Sequence, residues 1–263
     1  MREFETRLAA VRQAAGIAAE YLRASLWDDH KVTPKGAYDL SLDADTEAGR
    51  RIAEVIGRRF PGEFILEEDG PDDPMTGEWV WIVDPLDGTV NYHHRLPWFC
   101  VSVACYHRTE PSDHPLWRHG RPVASAVVAP VWGQEFWALV GEGAWSGSRR
   151  LAASVDRLEK GLLSYSRGSR ADDQEFMRTL MHRRGASARK TRSHGAAALD
   201  LAFVAQGSLA AHLQRTLQPW DIAAGAHLVL EAGGRVAVDA APGGHHVLAA
   251  GPGVWDELEK EWP

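Results

Sequence analysis

The residues best able to do chemistry stand in the run Val83-Asp84-Pro85-Leu86-Asp87-Gly88-Thr89-Val90-Asn91. It follows Trp79-Val80-Trp81-Ile82, which is apolar on both faces as a buried strand would be. Two carboxylates three residues apart, with Pro85 and Gly88 shaping the turn, can converge on one point, and Leu86 can add its carbonyl. Oxygen-only donors suit a hard cation such as Mg²⁺, which prefers to share its coordination sphere with waters and phosphate. Gly88 and Thr89 can then open a helix, whose first N–H groups bind phosphate readily. A pair of acids at this spacing arises by chance about once in a chain this long, and an Asp-capped turn is the plain alternative.

Further acids stand in suggestive places. Glu67-Glu68-Asp69 ends the preceding strand candidate, Asp45 begins one helix and Asp221 begins another. Each alone reads as a helix cap or a favourable first-turn acid. Gathered together they would need a cation among them, because two carboxylates about 4 Å apart repel by about 4 kcal/mol at an effective dielectric of about 20.

The elements that must position these groups can be read from periodicity. Phe4, Leu8, Val11, Ala15, Ala18, Leu22 and Leu26 recur every three or four residues and predict a helix over 3–26; Ala48, Ile52, Val55 and Ile56 predict a second over 45–60, stopped by Pro61-Gly62. Strand candidates are 63–66, 79–83, 98–106, 122–129 and 134–140, with the charged segment Arg108 to Gly120 as a surface loop. Beyond 150, helices near 172–183, 196–206 and 219–232 alternate with strands near 162–166, 208–213 and 246–250. The pattern is that of a layered α/β or α+β chain whose two lobes share one core. Cys100 and Cys105, five apart in one strand, fall on opposite faces, so no disulfide joins them.

Composition narrows the function. The chain of 263 residues has 36 acidic against 29 basic side chains, a formal charge of −7, which disfavours a nucleic acid polymer as partner. No apolar run approaches membrane-spanning length, and the amphipathic, mixed-charge start is unlike a signal peptide. The expectation is a cytoplasmic enzyme.

In order and over nearly its full length, the sequence resembles the inositol monophosphatase family of Mg²⁺-dependent, lithium-sensitive phosphatases, part of a wider sugar-phosphatase superfamily. The resemblance begins at Asp39-Leu40-Ser41-Leu42-Asp43-Ala44-Asp45 and continues through Ile65-Leu66-Glu67-Glu68. It peaks at Trp81 to Asn91, resumes at Gly195-Ala196-Ala197-Ala198-Leu199-Asp200-Leu201 and closes with Pro219-Trp220-Asp221-Ile222-Ala223-Ala224-Gly225 through Glu231-Ala232-Gly233-Gly234. It implies the layered αβαβα sugar-phosphatase fold: an N-terminal α+β lobe, residues 1–145, with two helices on an antiparallel sheet, and a C-terminal α/β lobe, residues 146–263. It implies that Glu67, Asp84, the Leu86 carbonyl, Asp87 and Asp221 hold two or three Mg²⁺ ions, with Li⁺ inhibitory. Thr89, with Glu67 or Asp45, would orient the attacking water. Gly88, Thr89, Gly195, Ala197, Gln214 and Asp221 would meet the substrate, and a homodimer is the family's usual state.

The departures bear on substrate. Gln214 stands where inositol phosphatases place an acid against ring hydroxyls, Ala196 replaces a common Ser or Thr, and Leu66 replaces a Gly. The expected substrate is a small polar phosphate monoester: inositol phosphate-like, histidinol phosphate, a sugar phosphate or an aminocyclitol phosphate. The alternatives are a 3′-phosphonucleotide or fructose bisphosphate phosphatase, and a phosphate-binding or metal-binding regulatory protein without turnover. An aspartyl-nucleophile phosphatase would need Asp-x-Asp after an apolar strand; Asp43-Ala44-Asp45 has the spacing and lacks the strand. The basic run Arg183 to Arg192 and the pairs His93-His94 and His245-His246, with His194, read as surface or packing groups.

Overall fold

A computed structural model describes residues 2–35, 40–108, 118–168 and 170–262. The elements in chain order are α1 (Arg2–Ser25), β1 (Val32–Pro34), β2 (Leu40–Leu42), α2 (Asp43–Arg59), β3 (Phe64–Glu67), β4 (Trp79–Asp87), α3 (Thr89–His93), β5 (Cys100–His107), β6 (Arg121–Ala129), β7 (Gln134–Leu139), β8 (Gly143–Ser146) and β9 (Arg149–Arg150). They continue with β10 (Leu162–Tyr165), α4 (Ala171–Leu180), β11 (Lys190–Arg192), α5 (Ala197–Ala205), β12 (Ala211–Leu217), α6 (Pro219–Glu231), β13 (Arg235–Ala241), β14 (Gly244–Ala250) and α7 (Trp255–Glu259).

Two large sheets organise the chain. One has seven strands in the order β3-β4-β5-β6-β7-β8-β9, antiparallel except for the β3/β4 pair at its edge. The other has five in the order β11-β10-β12-β14-β13, parallel on the β11/β10/β12 side and antiparallel on the other.

Three apolar cores then give five layers. Ala14, Ala18 and Leu22 of α1 and Ile52 and Ile56 of α2 pack on Trp81, Val83, Val101 and Val103 of the first sheet. The opposite face of that sheet meets α5 and α6, which carry Leu199, Leu201, Ile222 and Leu228 and are covered in turn by Val238, Val247 and Ala249 of the second sheet. Met177 and Leu180 of α4 and Trp255 and Leu258 of α7 cover the last face. The expected αβαβα layering is what the chain builds. Strand alternation sorts the cysteines as expected: Cys100 belongs to the α5/α6 core and Cys105 to the α1/α2 core, both free.

Some boundaries differ from the periodicity. β12 begins at Ala211 rather than 208, because Gly207 (φ +80°) and the residues after it turn the chain from α5 into the strand. α4 ends at Leu180 and passes into a π-turn over Met181–Gly185. β13 is absent from the strand candidates read from the sequence, yet it fills the edge beside β14. Residues 109–117 of the charged insertion lie outside the described residues. Its flanks are anchored: Asp73 Oδ1 pairs with Arg108 at 2.6 Å and Asp73 Oδ2 with His119 Nδ1 at 2.6 Å. Among the described residues, no helix is long and apolar enough to cross a membrane.

Candidate active site

β4 places the acids. On a regular strand, residues three apart face opposite sides, so Asp84 and Asp87 should diverge. The pairing of β4 with β5 slips between Asp84 and Asp87, and this bulge restores both to the α5/α6 side while Leu86 enters the α1/α2 core. Asp84 and Asp87 are both buried. Gly88 follows with φ +91°, and a Cβ there would stand 2.9 Å from the Trp98 carbonyl and 3.2 Å from Phe99 Cα. Only glycine meets both the backbone angle and the space. α3 starts at Thr89, as the sequence suggested.

Helix starts bring in the rest. Asp45 Oδ2 accepts the Leu42 N–H at 2.6 Å at the start of α2, and Asp221 Oδ2 accepts the Gln218 N–H at 2.7 Å at the start of α6. Both are therefore caps, and both also reach the site. Asp87 accepts the Ala197 and Ala198 N–H groups of α5 at 3.2 and 2.8 Å and a weak contact from the Cys100 thiol at 3.5 Å. Thr89 Oγ1 lies 3.1 Å from Asp45 Oδ1 and 2.9 Å from the Leu86 carbonyl.

The cleft so formed has a volume of about 770 Å³ and is lined by Asp84, Leu86, Asp87, Gly88, Thr89, Gly195, Ala197, Gln214 and Asp221 from the expected set. The Ala197 amide is committed to Asp87, so that residue offers the cleft its side chain and not its N–H. Asp45 and Glu67 instead line an adjoining cleft of about 180 Å³ with Gly49, and Glu68 lines both. Glu67 lies in the adjoining cleft. Its carboxylate packs beside Gly49, where a Cβ would come within 3.0 Å of Oε2, whereas Glu68, just past the end of β3, turns to the main cleft. Lys35 holds Glu68 at 3.0 Å and Asp69 at 2.7 Å.

The electrostatics follow from burial. Burial first, then the charges of Asp87, Asp221 and Glu68, push the Asp84 carboxyl well above the ordinary carboxylate range. Burial raises Asp87 to about 6 against the pull of its amide partners, and raises Asp45 to about 6 against its bonds to Leu42 and Thr89. Glu67 is raised by burial and by Asp69. Among the described residues, no three His, Cys, Asp or Glu side chains already form a finished metal cage. The donors nevertheless fit a hard divalent cation: they are all oxygen, partly buried and in need of neutralisation.

Sequence reasoning missed several groups. Lys35, Ser166, Arg167, Arg215, Thr216 and Gln218 also line the cleft, and none stands at a spacing that marks it. His194 is not an isolated ring: its Nδ1 is 2.7 Å from Asp200 Oδ1, and it stacks on Trp98 at 3.7 Å. The other Asp200 oxygen faces His212 Nδ1 at 3.3 Å, which also lies 2.8 Å from Ser164 Oγ. A short strand, β2, does precede Asp43-Ala44-Asp45, contrary to the sequence reading. Asp43 is nonetheless exposed and paired with His30 at 3.0 Å, so the two acids share no pocket.

The profile of the inositol monophosphatase family matches residues 2–258. The chain belongs to the inositol monophosphatase family. It is 32% identical over 234 residues to the inositol-1-monophosphatase of Caulobacter vibrioides, covering 87% of this chain and 86% of that protein. It is 34% identical over 238 residues to the phosphatase IMPL1, chloroplastic, of Arabidopsis thaliana, covering 87% of this chain and 61% of that longer protein. The extragenic suppressor protein SuhB of Bartonella henselae superposes with a TM-score of 0.86 at 28% identity, covering 97% of this chain and 98% of that one. The family member described here is a phosphoric monoester hydrolase, a phosphatase of this superfamily.

Proposed function

We propose that this phosphatase hydrolyses a small polar phosphate monoester, of the inositol phosphate-like, histidinol phosphate, sugar phosphate or aminocyclitol phosphate type, by direct attack of water with Mg²⁺ as cofactor. The observation that carries the reading is the buried Asp84 carboxyl facing Asp87, Asp221 and Glu68 across one cleft that also holds the Leu86 carbonyl. Asp84, Asp87, Asp221 and the Leu86 carbonyl would hold the metal, with a fifth acid from Glu67, as the family pattern assigns, or Glu68, as the observed placement favours. Two or three Mg²⁺ ions, once bound, would lower the pKa of water and neutralise phosphoryl and leaving-group oxygens; Li⁺ is expected to inhibit.

The protein's own groups have separable tasks. Thr89 has Asp45 Oδ1 and the Leu86 carbonyl as acceptors for its one hydroxyl proton, and with either the Thr89 oxygen keeps lone pairs to accept a hydrogen bond from water and so orient it. The Gly88 and Thr89 amides, at the start of α3 in the cleft wall, would receive the phosphate. Gln214 offers an amide, both donor and acceptor, to the alcohol part. The Cys100 thiol is not placed to form a phosphoenzyme: it is buried, its pKa is raised by burial and by Asp87 and Asp84, and it is turned to Asp87. A cytoplasmic homodimer is part of the same proposal and rests on the family resemblance.

The test is phosphate release from a panel of inositol, histidinol, sugar, aminocyclitol, 3′-phosphonucleotide and fructose bisphosphate substrates, with Mg²⁺ and with EDTA. Mg²⁺-dependent release from one class is the expected outcome. No release from any class, with Mg²⁺ still raising the melting temperature, would leave the binding-only protein instead.

A further inference from the structure

Outside the metal loop, one part of the cleft wall is held in an unusual conformation. The pairing of β12 with β14 slips between Gln214 and Leu217, and within that bulge Thr216 has φ +60°. A β-branched residue at positive φ is strained, so something must hold it there. The holder is Asp173, a buried acid of α4, whose Oδ2 accepts the Thr216 hydroxyl. The other oxygen, Oδ1, stands 3.1 Å from Arg215 Nε. His246 lies 3.2 Å from the same nitrogen, and the Arg215 guanidinium sits 4.5 Å from the centre of the Phe176 ring.

Arg215 is thereby fixed at its Nε edge and on one face. Among the described residues, no hydrogen bond engages its two terminal nitrogens, and the side chain lines the same cleft as Asp84 and Asp221. A guanidinium pinned at Nε offers a planar fork suited to a carboxylate or phosphate. The adjacent Gln214 carries no negative charge to repel such a group.

We propose that Arg215, oriented by Asp173, reads a second anionic group on the substrate, a phosphate or a carboxylate, and so selects phosphate monoesters that carry it over those whose alcohol part is a neutral polyol. This rests on the phosphatase reading. Asp173 acts as a positioning residue, spending a buried charge and a strained Thr216 backbone to aim one fork.

The experiment compares kcat/KM on two matched pairs: fructose 1,6-bisphosphate against fructose 6-phosphate, and gluconate 6-phosphate against glucitol 6-phosphate. The wild type is expected to prefer the charged member of at least one pair by about 10-fold or more, through KM, and the preferred pair identifies phosphate or carboxylate as the group read. Arg215→Gln should abolish that preference while the neutral member changes by less than about 3-fold, and Arg215→Lys should restore only part of it. Asp173→Asn, if it folds, should weaken the preference with the Arg215 charge intact. An equal loss on both members of a pair, an unchanged ratio in Arg215→Gln, or release by the wild type confined to neutral monoesters overturns the proposal alone. No Mg²⁺-dependent release from these four compounds or from the wider panel overturns the phosphatase reading and this proposal with it.

Discussion

Asp87 accepts the backbone N–H of Ala198 at 2.8 Å, so an acid of the proposed metal loop is also the cap of α5. Ala197 adds a second N–H at 3.2 Å, and the positive end of the helix favours the charge. Stability and activity should therefore separate between two substitutions. Asp87→Ala leaves the Ala197 and Ala198 N–H groups without their acceptor and is expected to cost about 1–3 kcal/mol of stability, and to abolish activity. Asp87→Asn keeps one acceptor, so it should lose activity as fully and stability about half as much. Urea unfolding beside phosphate-release assays on both variants checks this, and equal stability in the two would remove Asp87 from its capping role.

Among the described residues Asp84 has no amide partner from α5, and it should respond differently. Its raised carboxyl means that the folded state favours the neutral form: the stability linked to this group is present below the ordinary carboxylate range and is lost as pH rises through the raised value. At neutral pH without metal, Asp84→Asn removes the repulsion with Asp87, Asp221 and Glu68 and should melt higher than the wild type, by about 2–4 °C for each kcal/mol relieved. Mg²⁺ should raise the melting temperature of the wild type and leave the variant unmoved. A variant that melts lower in EDTA, or keeps the Mg²⁺ increment, counts against the acidic cluster as the metal site.

What could be read from sequence was local. The alternation that separates Cys100 from Cys105 and the turn that closes after Asp87 both lie within one segment, where spacing carries the information. Asp45 and Asp221 were ambiguous for a physical reason: each is a cap through one oxygen and a site residue through the rest of the carboxylate, so neither reading excludes the other. Arg215, Asp173, Thr216 and the chain Ser164-His212-Asp200-His194 were illegible because their partners come from separate strands and helices. Which cleft Glu67 and Glu68 each line was equally hidden, since strand parity decides it and the strand's last residue is what sequence locates least well.

Gly88 gives a steric prediction. With φ +91° and a Cβ position 2.9 Å from the Trp98 carbonyl, Gly88→Ala meets backbone atoms that cannot swing away. The left-handed angle alone costs about 1–2 kcal/mol for a residue with a Cβ, and the contact adds to it. The variant is expected to melt several degrees lower and to lose most turnover, because Thr89 and its Asp45 partner shift with the loop. Wild-type turnover and melting in Gly88→Ala would show that the loop accepts another conformation.

His227, in α6 far from the metal loop in sequence, sets an acid limb to stability. It is buried with Nδ1 2.9 Å from Ser125 Oγ, Nε2 has no hydrogen-bond partner among the described residues, and the Glu231 carboxylate is 3.9 Å away. Burial pushes its pKa down from 6.5 to about 3. Below pH 6.5 the unfolded chain takes a proton that the folded chain refuses until about pH 3, so stability is full above 6.5 and declines as pH falls through that window. The slope is about 1.4 kcal/mol per pH unit for one such group. His227→Gln can keep the bond to Ser125 and has nothing to titrate. Between about pH 7 and about pH 5 the wild type should lose about 2 kcal/mol more than the variant in urea unfolding. Other groups, including Asp45 and Asp87, contribute alike to both proteins and cancel in the difference. Parallel stability profiles for the two would mean that His227 takes its proton without unfolding the core around it.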